Sequence, residues 1–261
     1  MNKVTRLKYY IESLCIYDFE DDDVFSALYD LLCDDEEDTV ALQSYFFKEL
    51  AKSESLKRHI SRLILTNDNI FTKAACAGKV NELSIAVINA VKSDLAKLEE
   101  IASLTAQDIL ADIDDEDIKE ILLTLPGWEV GKPLAPLDSH WDRQLDELIK
   151  YHRENGYGIY AKNIAFTWRD EEITPVNSID PIRLTDLKNY ELQRNKVIDN
   201  TESFIAGHPA NNVLLYGDRG TGKSSTVHAI LNEYWQKGLR MIEIPKSTVA
   251  DLSLIREQIA D

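Results

Sequence analysis

Residues 1–125 place apolar side chains at three- and four-residue intervals, the spacing of the buried face of an amphipathic α-helix. No proline precedes Pro126. The pattern predicts helices with the buried faces Leu7, Tyr10, Ile11 and Leu14; Val24, Leu28, Leu31 and Leu32; and Leu42, Phe46, Phe47 and Leu50; and a longer helix from Leu83 to Leu104. Asp38 or Thr39 is suited to cap the third of these. No repeat of solenoid period occurs, so we expect a helical bundle or an irregular helical domain.

Proline and glycine then cluster at Pro126, Gly127, Gly131, Pro133 and Pro136. These residues interrupt helices and central strands, so we expect a domain boundary there. Beyond the cluster, the pattern predicts a helix over 139–155 and an aromatic-rich strand over 158–168. Residues 126–180 are therefore predicted to form a connector with one helix and one strand.

Residues 181–261 alternate predicted strands and helices. A helix is predicted over 190–206 and a short apolar strand over 213–216, followed by a glycine-rich loop and a second helix. A second strand over 239–244 and a final helix complete the pattern. The order strand, helix, strand is that of a β-α-β unit.

The glycine-rich loop fits the Walker A pattern G-x-x-x-x-G-K-[ST], between a strand and a helix as that motif requires. Its glycines allow backbone N–H groups to approach phosphate oxygens, and the N-terminus of the next helix favours an anion. The candidate nucleotide-binding residues are Gly217, Asp218, Arg219, Gly220, Thr221, Gly222, Lys223, Ser224 and Ser225.

These loop residues have different predicted roles. Lys223 adds a positive charge toward the β and γ phosphates, and the hydroxyl of Ser224 is predicted to hold a nucleotide-bound magnesium ion. Ser225 can contribute a backbone N–H near the α phosphate. Asp218 and Arg219 occupy variable positions of the motif and can simply point outward.

The net charge of −17 lies entirely within residues 1–180, which hold 36 acidic and 19 basic residues. An acidic surface repels phosphate backbones, so we expect no nucleic acid partner. A basic partner fits this charge, and a merely solvated surface fits it too. Charged residues make up 29% of the chain, and no apolar run reaches about 18 residues, which argues against a membrane span.

The first residues lack the unbroken apolar stretch of a signal peptide, so the predicted location is cytoplasmic. The three cysteines show no C-x-x-C spacing, and the five histidines show no metal-ligand spacing. The acidic run at 112–117 lacks the glycine and glutamate of a calcium loop and is read as a helix start. No Ser/His/Asp arrangement can be argued from the sequence.

The loop and its flanks resemble the AAA+ superfamily and, more narrowly, a bacterial ATP-binding family classified as a domain of unknown function. The resemblance covers residues 156–261. It rests on Gly-Tyr-Gly-Ile-Tyr-Ala (156–161), Ala-Phe-Thr-Trp (165–168), Asp-Pro-Ile-Arg-Leu (180–184), the stretch 209–227 and Gly-Leu-Arg-Met-Ile-Glu (238–243). Asn189 departs from the superfamily, which usually has glycine there. Ile182, Leu184 and Leu187 stand where a nucleotide base could rest, or simply in the core.

The resemblance implies ATP and Mg²⁺ as cofactors. In a full-length parent it implies ATP hydrolysis coupled to remodelling or regulating a protein partner, within an oligomer. The expected fold is a mostly α N-terminal domain (1–125), the connector (126–180) and a truncated α/β P-loop domain of AAA+ type (181–261). An alternative is a nucleotide-gated interaction module, whose acidic helical domain binds a partner without needing hydrolysis. A small-molecule kinase is disfavoured, because residues 181–206 precede the phosphate-loop strand.

Hydrolysis requires a further carboxylate on a later strand, usually after four apolar residues, and no such pattern follows the loop. We therefore expect this chain to be a truncated form of a longer ATPase, without catalytic residues of its own and binding nucleotide at most. In the strand order that the resemblance implies, strands 213–216 and 239–244 would then lack their pairing partners.

Overall fold

The structure, a computed structural model, describes residues 1–34, 38–53, 55–176 and 178–260. It divides into two compact units, Met1–His152 and Arg153–Asp261. The predicted three-part division at residues 125 and 180 stays a prediction. No helix within the described ranges is both long and apolar enough to cross a bilayer.

The described part of residues 1–125 is mostly helical, as its apolar spacing predicts, and the helix predicted over 139–155 begins at Leu145. The helices are α1 (Lys3–Glu12), α2 (Asp23–Cys33), α3 (Thr39–Leu50), α4 (Leu56–Leu65), α5 (Ile70–Ala77), α6 (Ile85–Ile101), α7 (Ala106–Leu110), α8 (Glu116–Leu122) and α9 (Leu145–Asn155). Asp38 is the N-cap residue of α3, one of the two predicted candidates. Asp115 caps α8 by accepting the N–H groups of Asp117 and Ile118, so the acidic run is a helix start, as predicted.

The core of the first unit is formed by the apolar faces of these helices. Phe46 and Trp141 are fully buried, and the ring of Phe46 meets Trp128 edge to face at 4.9 Å between centroids. The indole N–H of Trp128 donates to the carbonyl of Leu104 at 2.9 Å. The predicted apolar faces supply much of this core, through Leu7, Val24, Leu28, Leu31, Leu32, Phe46 and Leu50.

A buried carboxylate fixes the turn that follows α1. Asp94 of α6 is fully buried, and its Oδ2 accepts the N–H groups of Cys15, Ile16 and Tyr17 at 2.9, 2.7 and 3.3 Å. The ammonium of Lys97 lies 3.7 Å from the Oδ1 atom. A buried charge is tolerated when it is paired and hydrogen-bonded, so Asp94 joins this turn to α6.

The second unit combines helices with a small mixed sheet. Its elements are α10 (Gly158–Lys162), β1 (Ala165–Arg169), β2 (Glu172–Pro175), α11 (Glu191–Ile205), α12 (Lys223–Tyr234), β3 (Met241–Glu243) and α13 (Leu252–Ala260). The strand order is β2-β1-β3, with β1 antiparallel to β2 and parallel to β3. Phe166, Trp168, Ile173 and Ile255 form the buried core around this sheet. This architecture confirms the expected fold class as far as the order of its parts, a helical part followed by an α/β part.

Arg240, the residue before β3, fixes the backbone around the start of this strand. Its guanidinium donates to the carbonyls of Asn155 at 2.9 Å and of Tyr160, Trp235 and Leu239 at 3.0 Å. One side chain therefore fixes four backbone segments by charge-assisted hydrogen bonds.

Three details of the second unit differ from the sequence prediction. Residues 158–162 are helical, so the predicted strand begins only at Ala165. Residues 213–216 form no strand, and Leu214 and Tyr216 are 82% and 88% exposed. The strand Met241–Glu243 was predicted to lack a pairing partner, and this was wrong, because it pairs with β1.

Candidate functional site

The glycine-rich loop owes its shape to three residues in the left-handed region. Gly217, Gly220 and Gly222 have φ values of 140°, 83° and 80°. A Cβ atom at Gly220 or Gly222 would meet no other heavy atom within 4 Å. The backbone conformation, and not lack of space, therefore requires glycine at these two positions.

Lys223 lies across this loop. Its ammonium donates to the carbonyl oxygens of Gly217 at 3.0 Å and Asp218 at 2.7 Å, and to the Thr221 hydroxyl at 3.2 Å. The Thr221 hydroxyl in turn donates to the Asp218 carbonyl at 2.9 Å. These bonds hold the only lysine of the motif at the centre of the loop, where its charge faces whatever the loop encloses.

The loop ends at the N-terminus of α12, for which Gly222 is the N-cap residue. The N–H of Thr226 closes the first helical turn onto the Gly222 carbonyl at 2.8 Å. Earlier N–H groups of an α-helix have no intrahelical acceptor, and they carry the positive end of the helix dipole. The first turn holds no acidic residue. Ser224 is exposed there, Ser225 is half-buried, and Arg219 is exposed at the tip of the loop.

Two asparagines fix the segment that leads into the loop. The Asn200 side chain on α11 donates to the Asn211 carbonyl and accepts the Asn211 N–H, both at 2.8 Å. This bidentate pairing attaches Asn211 to α11, and residues 211–217 belong to no strand.

The C-terminal part of α12 contacts both the segment that precedes α11 and α11 itself. The Asn232 side chain donates to the carbonyls of Asp180 and Ile182 at 2.7 and 2.9 Å. The Tyr234 hydroxyl donates to the Glu202 carboxylate at 2.8 Å. Burial, together with this bond to Glu202, raises the pKa of Tyr234 to about 12. Both contacts set the position of α12, and through it that of the loop.

A cavity of about 580 Å³ opens between α11 and the loop. Among the predicted site residues, Gly217, Asp218, Thr221, Gly222 and Lys223 line it, whereas Arg219, Gly220, Ser224 and Ser225 are not lining residues. Of the three apolar residues considered for a base contact, Leu187 lines the cavity and Ile182 and Leu184 do not. The volume lies within the range of small-molecule sites.

The cavity also contains basic residues that the motif did not reveal, namely Lys188, Arg194 and Lys196. The Arg194 guanidinium donates to the Leu187 carbonyl at 2.8 Å, which places it at the base of α11. The sequence did contain a signal for these residues, because the three basic side chains lie within nine positions, just before and inside a predicted helix. The sequence alone did not show that this helix faces the loop.

Asn189 adopts the conformation that explains why glycine is usual at its position. Its φ is 66°, and the next residue, Tyr190, has a φ of 58°. Asparagine is the non-glycine residue that tolerates the left-handed region best. Asn189 therefore preserves the backbone turn before α11 that a glycine would make.

Elsewhere, in the first unit, the structure brings together three residues that sequence spacing did not connect. The His59 ring lies 2.8 Å from Ser53 Oγ through Nδ1 and 2.8 Å from Asp22 Oδ1 through Nε2. Asp22 also accepts the N–H of Phe25 as the N-cap of α2, and His59 is 6% exposed. Burial alone would raise the pKa of Asp22, but the bonds from His59 and Phe25 outweigh it and lower that pKa. We assign the hydrogen-bonded side chains of Ser53, His59 and Asp22 a structural role, because they join α4 to the start of α2.

Known proteins match the part of the chain that carries the loop. The family described as Protein of unknown function (DUF815) matches residues 161–261. The Replication factor C large subunit of Staphylothermus marinus is 37% identical over 68 residues, which are 26% of this chain and 15% of that protein. No solved structure matches the chain. The two matches are consistent with the resemblance stated from the sequence, that of an AAA+-like protein, and the similarity to the DUF815 family covers residues 161–261.

Proposed function

We propose that the second unit binds ATP in the cavity between α11 and the glycine-rich loop. The observation that carries the proposal is the position of Lys223, held by the carbonyls of Gly217 and Asp218 where a helix N-terminus begins. An ammonium ion and free backbone N–H groups around one loop form a site for phosphate oxygens.

The fit to a triphosphate rests on charge and shape. The three left-handed glycines add no side chains of their own to the loop, which favours close approach of an anion to the backbone. Lys188, just before α11, and Arg194 and Lys196 on α11 add positive charge to the lining of the cavity. Leu187 offers an apolar surface at the same cavity for the base.

Bound Mg²⁺ would neutralise part of the phosphate charge. Ser224 is the residue of the loop that would hold it, through a hydroxyl exposed on the first turn of α12. In a longer parent protein we propose that ATP is hydrolysed and that hydrolysis remodels or regulates a protein partner, within a cytoplasmic oligomer. These finer proposals rest on the AAA+ resemblance and not on the geometry of the loop.

The test is calorimetric titration of Mg·ATP into the full chain and into two variants. Lys223→Met removes the charge within the loop, and Lys246→Met removes the same charge from an exposed position outside the cavity. We expect Lys246→Met to bind like the wild type and Lys223→Met to bind about tenfold to a hundredfold more weakly, because a charge-assisted bond is lost. Ser224→Ala is expected to reduce the gain in affinity that Mg²⁺ confers on ATP.

Equal affinities of the two lysine variants, or no binding by the folded wild type, would contradict the proposal. The alternative of a nucleotide-gated interaction module makes a different prediction for a captured partner. If Lys223→Met abolishes ATP binding but leaves partner binding unchanged, the helical unit acts independently of the nucleotide.

A further inference from the structure

Two segments that lie far apart in the sequence line the cavity beside the glycine-rich loop. One is the loop itself, which continues into α12, and the other is residues 187–190, which lead into α11. A ligand that contacts both segments binds more tightly when their relative position is fixed before it arrives, because less freedom is lost on binding. The residues that fix this position therefore contribute to the site even from outside the cavity.

Asn232 attaches the segment before α11 to α12. Its side-chain amide carries two N–H donors, and these donate to the carbonyls of Asp180 and Ile182 at 2.7 and 2.9 Å. A third bond runs in the opposite direction, because the Arg183 guanidinium donates to the backbone carbonyl of Asn232 at 3.0 Å. Residues 180–183 are thus held against the helix that follows the loop.

Short-range hydrogen bonds continue this attachment to the cavity. The Arg183 N–H donates to the Asp186 carboxylate at 2.8 Å, and the Asp186 N–H donates to the Arg183 carbonyl at 3.0 Å, around a single 3₁₀ turn at Leu184–Asp186. Leu187 follows this turn and lines the cavity. Its carbonyl accepts a hydrogen bond from the Arg194 guanidinium on α11 at 2.8 Å. A series of hydrogen bonds therefore connects α12 to a residue of the cavity.

The bonds of Lys223 within the glycine-rich loop are separate from this attachment. Lys223 donates to Gly217, Asp218 and Thr221, which lie no more than six positions away in the chain. None of these bonds involves residues 180–187. Loss of the Asn232 contacts should therefore displace the segment before α11 and leave the surroundings of the Lys223 ammonium in place.

We propose that Asn232 is a positioning residue of the nucleotide site. It sets the position of residues 187–190 relative to the loop, so that the nucleoside of ATP contacts one segment while its phosphates contact the other. The nucleoside is then the part of the ligand whose contribution to affinity depends on Asn232. This inference rests on the proposed function, and it adds a role for a side chain that is not among the residues lining the cavity.

The experiment compares Mg·ATP with magnesium tripolyphosphate, which has the phosphates but no nucleoside, by calorimetry on the full chain. We expect the wild type to bind ATP about tenfold more tightly than tripolyphosphate. Asn232→Ala should weaken ATP binding by about fivefold to tenfold, because residues 187–190 are no longer held in place beforehand, and should change tripolyphosphate binding by less than about twofold. Gln236→Ala, at an exposed position just after α12, should leave both affinities unchanged.

Arg183→Gln tests the same attachment from its exposed end. The Arg183 side chain is 57% exposed, so the variant is expected to fold, and a thermal melt checks this. It should weaken ATP binding by about threefold and leave tripolyphosphate binding unchanged. The double variant Asn232→Ala with Arg183→Gln should lose less affinity for ATP than the product of the two single effects, because both changes break one attachment.

Three results would contradict the proposal in distinguishable ways. A folded wild type that binds neither ligand would overturn the proposed function and this inference together. Equal affinities of the wild type for ATP and tripolyphosphate would leave phosphate binding in place and overturn the role of the nucleoside contact. Equal losses for the two ligands in a folded Asn232→Ala variant would show that Asn232 supports the whole unit without positioning residues 187–190, and would overturn the inference alone.

Discussion

The two units bury their apolar residues in different ways. In the first unit one continuous core takes side chains from α1 to α6, with Phe46, Leu28 and Leu95 all fully buried. In the second unit the buried cluster surrounds one short sheet, and the apolar segment 213–216 beside the loop remains largely in solvent. Residues 213–216 are apolar and yet exposed, so the difference shows that an apolar sequence alone does not determine burial.

The cause is the range of the interactions that each element needs. A helix satisfies its backbone within its own segment, so an amphipathic pattern is enough to form it and to turn one face inward. A strand needs hydrogen-bond partners from elsewhere in the chain. Residues 241–243 find them in β1, whereas residues 213–216 belong to no strand, and the Asn200–Asn211 pair attaches only residue 211 to α11.

The largest expected effect tests this comparison directly. Phe46→Ala removes a fully buried ring and should lower the free energy of unfolding of the first unit by about 3–5 kcal/mol. Leu214→Ala changes a side chain that is 82% exposed and should change the stability of the second unit by less than about 0.5 kcal/mol. Urea unfolding followed by circular dichroism, with hydrogen exchange of peptides from each unit, measures both.

A large loss of stability in Leu214→Ala would break the comparison, because it would mean that this segment packs against other apolar groups in solution. Unchanged hydrogen-exchange protection of the α11 and α12 peptides in both variants would support the comparison between the two units. The first unit would then be the part of the chain whose stability depends on a deep core.

The same contrast explains how far the sequence could predict the structure. Helices α1, α2, α3 and α6 follow from apolar spacing, and the start of α3 from the position of Asp38, although its side chain makes no capping hydrogen bond. The loop residues follow from the spacing of Gly217, Gly222 and Lys223, because the Walker A pattern is local. The pairing of β1 with β3 could not be predicted, since about 70 residues separate these strands.

The candidate site shows the same limit. The hydrogen bonds of Lys223 lie within seven residues, and the motif predicted that neighbourhood. The approach of Arg194 and Lys196 depends on the packing of α11 beside the loop, which no local pattern encodes.

A smaller effect is expected from the hydrogen-bonded Asp22–His59 pair of the first unit. Asp22→Asn keeps an N-cap side chain on α2 and removes the charge that faces His59, so the unfolding free energy at pH 7 should fall by about 1–2 kcal/mol. Since the folded pKa of Asp22 is lowered, its contribution is present above the unfolded pKa of about 3.9 and is lost as the pH falls through the folded value. Urea midpoints measured from pH 7 to pH 3 should therefore converge for wild type and variant.

A constant difference between the two proteins down to pH 3 would contradict this assignment, since it would arise from packing and not from charge. A matched change in the second unit offers the control. Asp218→Asn alters an exposed carboxylate that makes no side-chain hydrogen bond among the described residues, so the unfolding free energy of the second unit should stay within about 0.5 kcal/mol of wild type.

The smallest effect concerns the turn before α11. Asn189 has a φ of 66°, a conformation that glycine adopts freely, that asparagine tolerates and that alanine adopts at a cost of about 1 kcal/mol or more. Asn189→Gly should therefore leave the stability of the second unit within about 0.5 kcal/mol of wild type, and Asn189→Ala should lower it by about 1 kcal/mol. Hydrogen exchange of α11 peptides measures both. If Asn189→Gly weakens Mg·ATP binding while stability is kept, the asparagine side chain itself contributes to the site; if binding also stays unchanged, position 189 serves the site only through its backbone, as the usual glycine would.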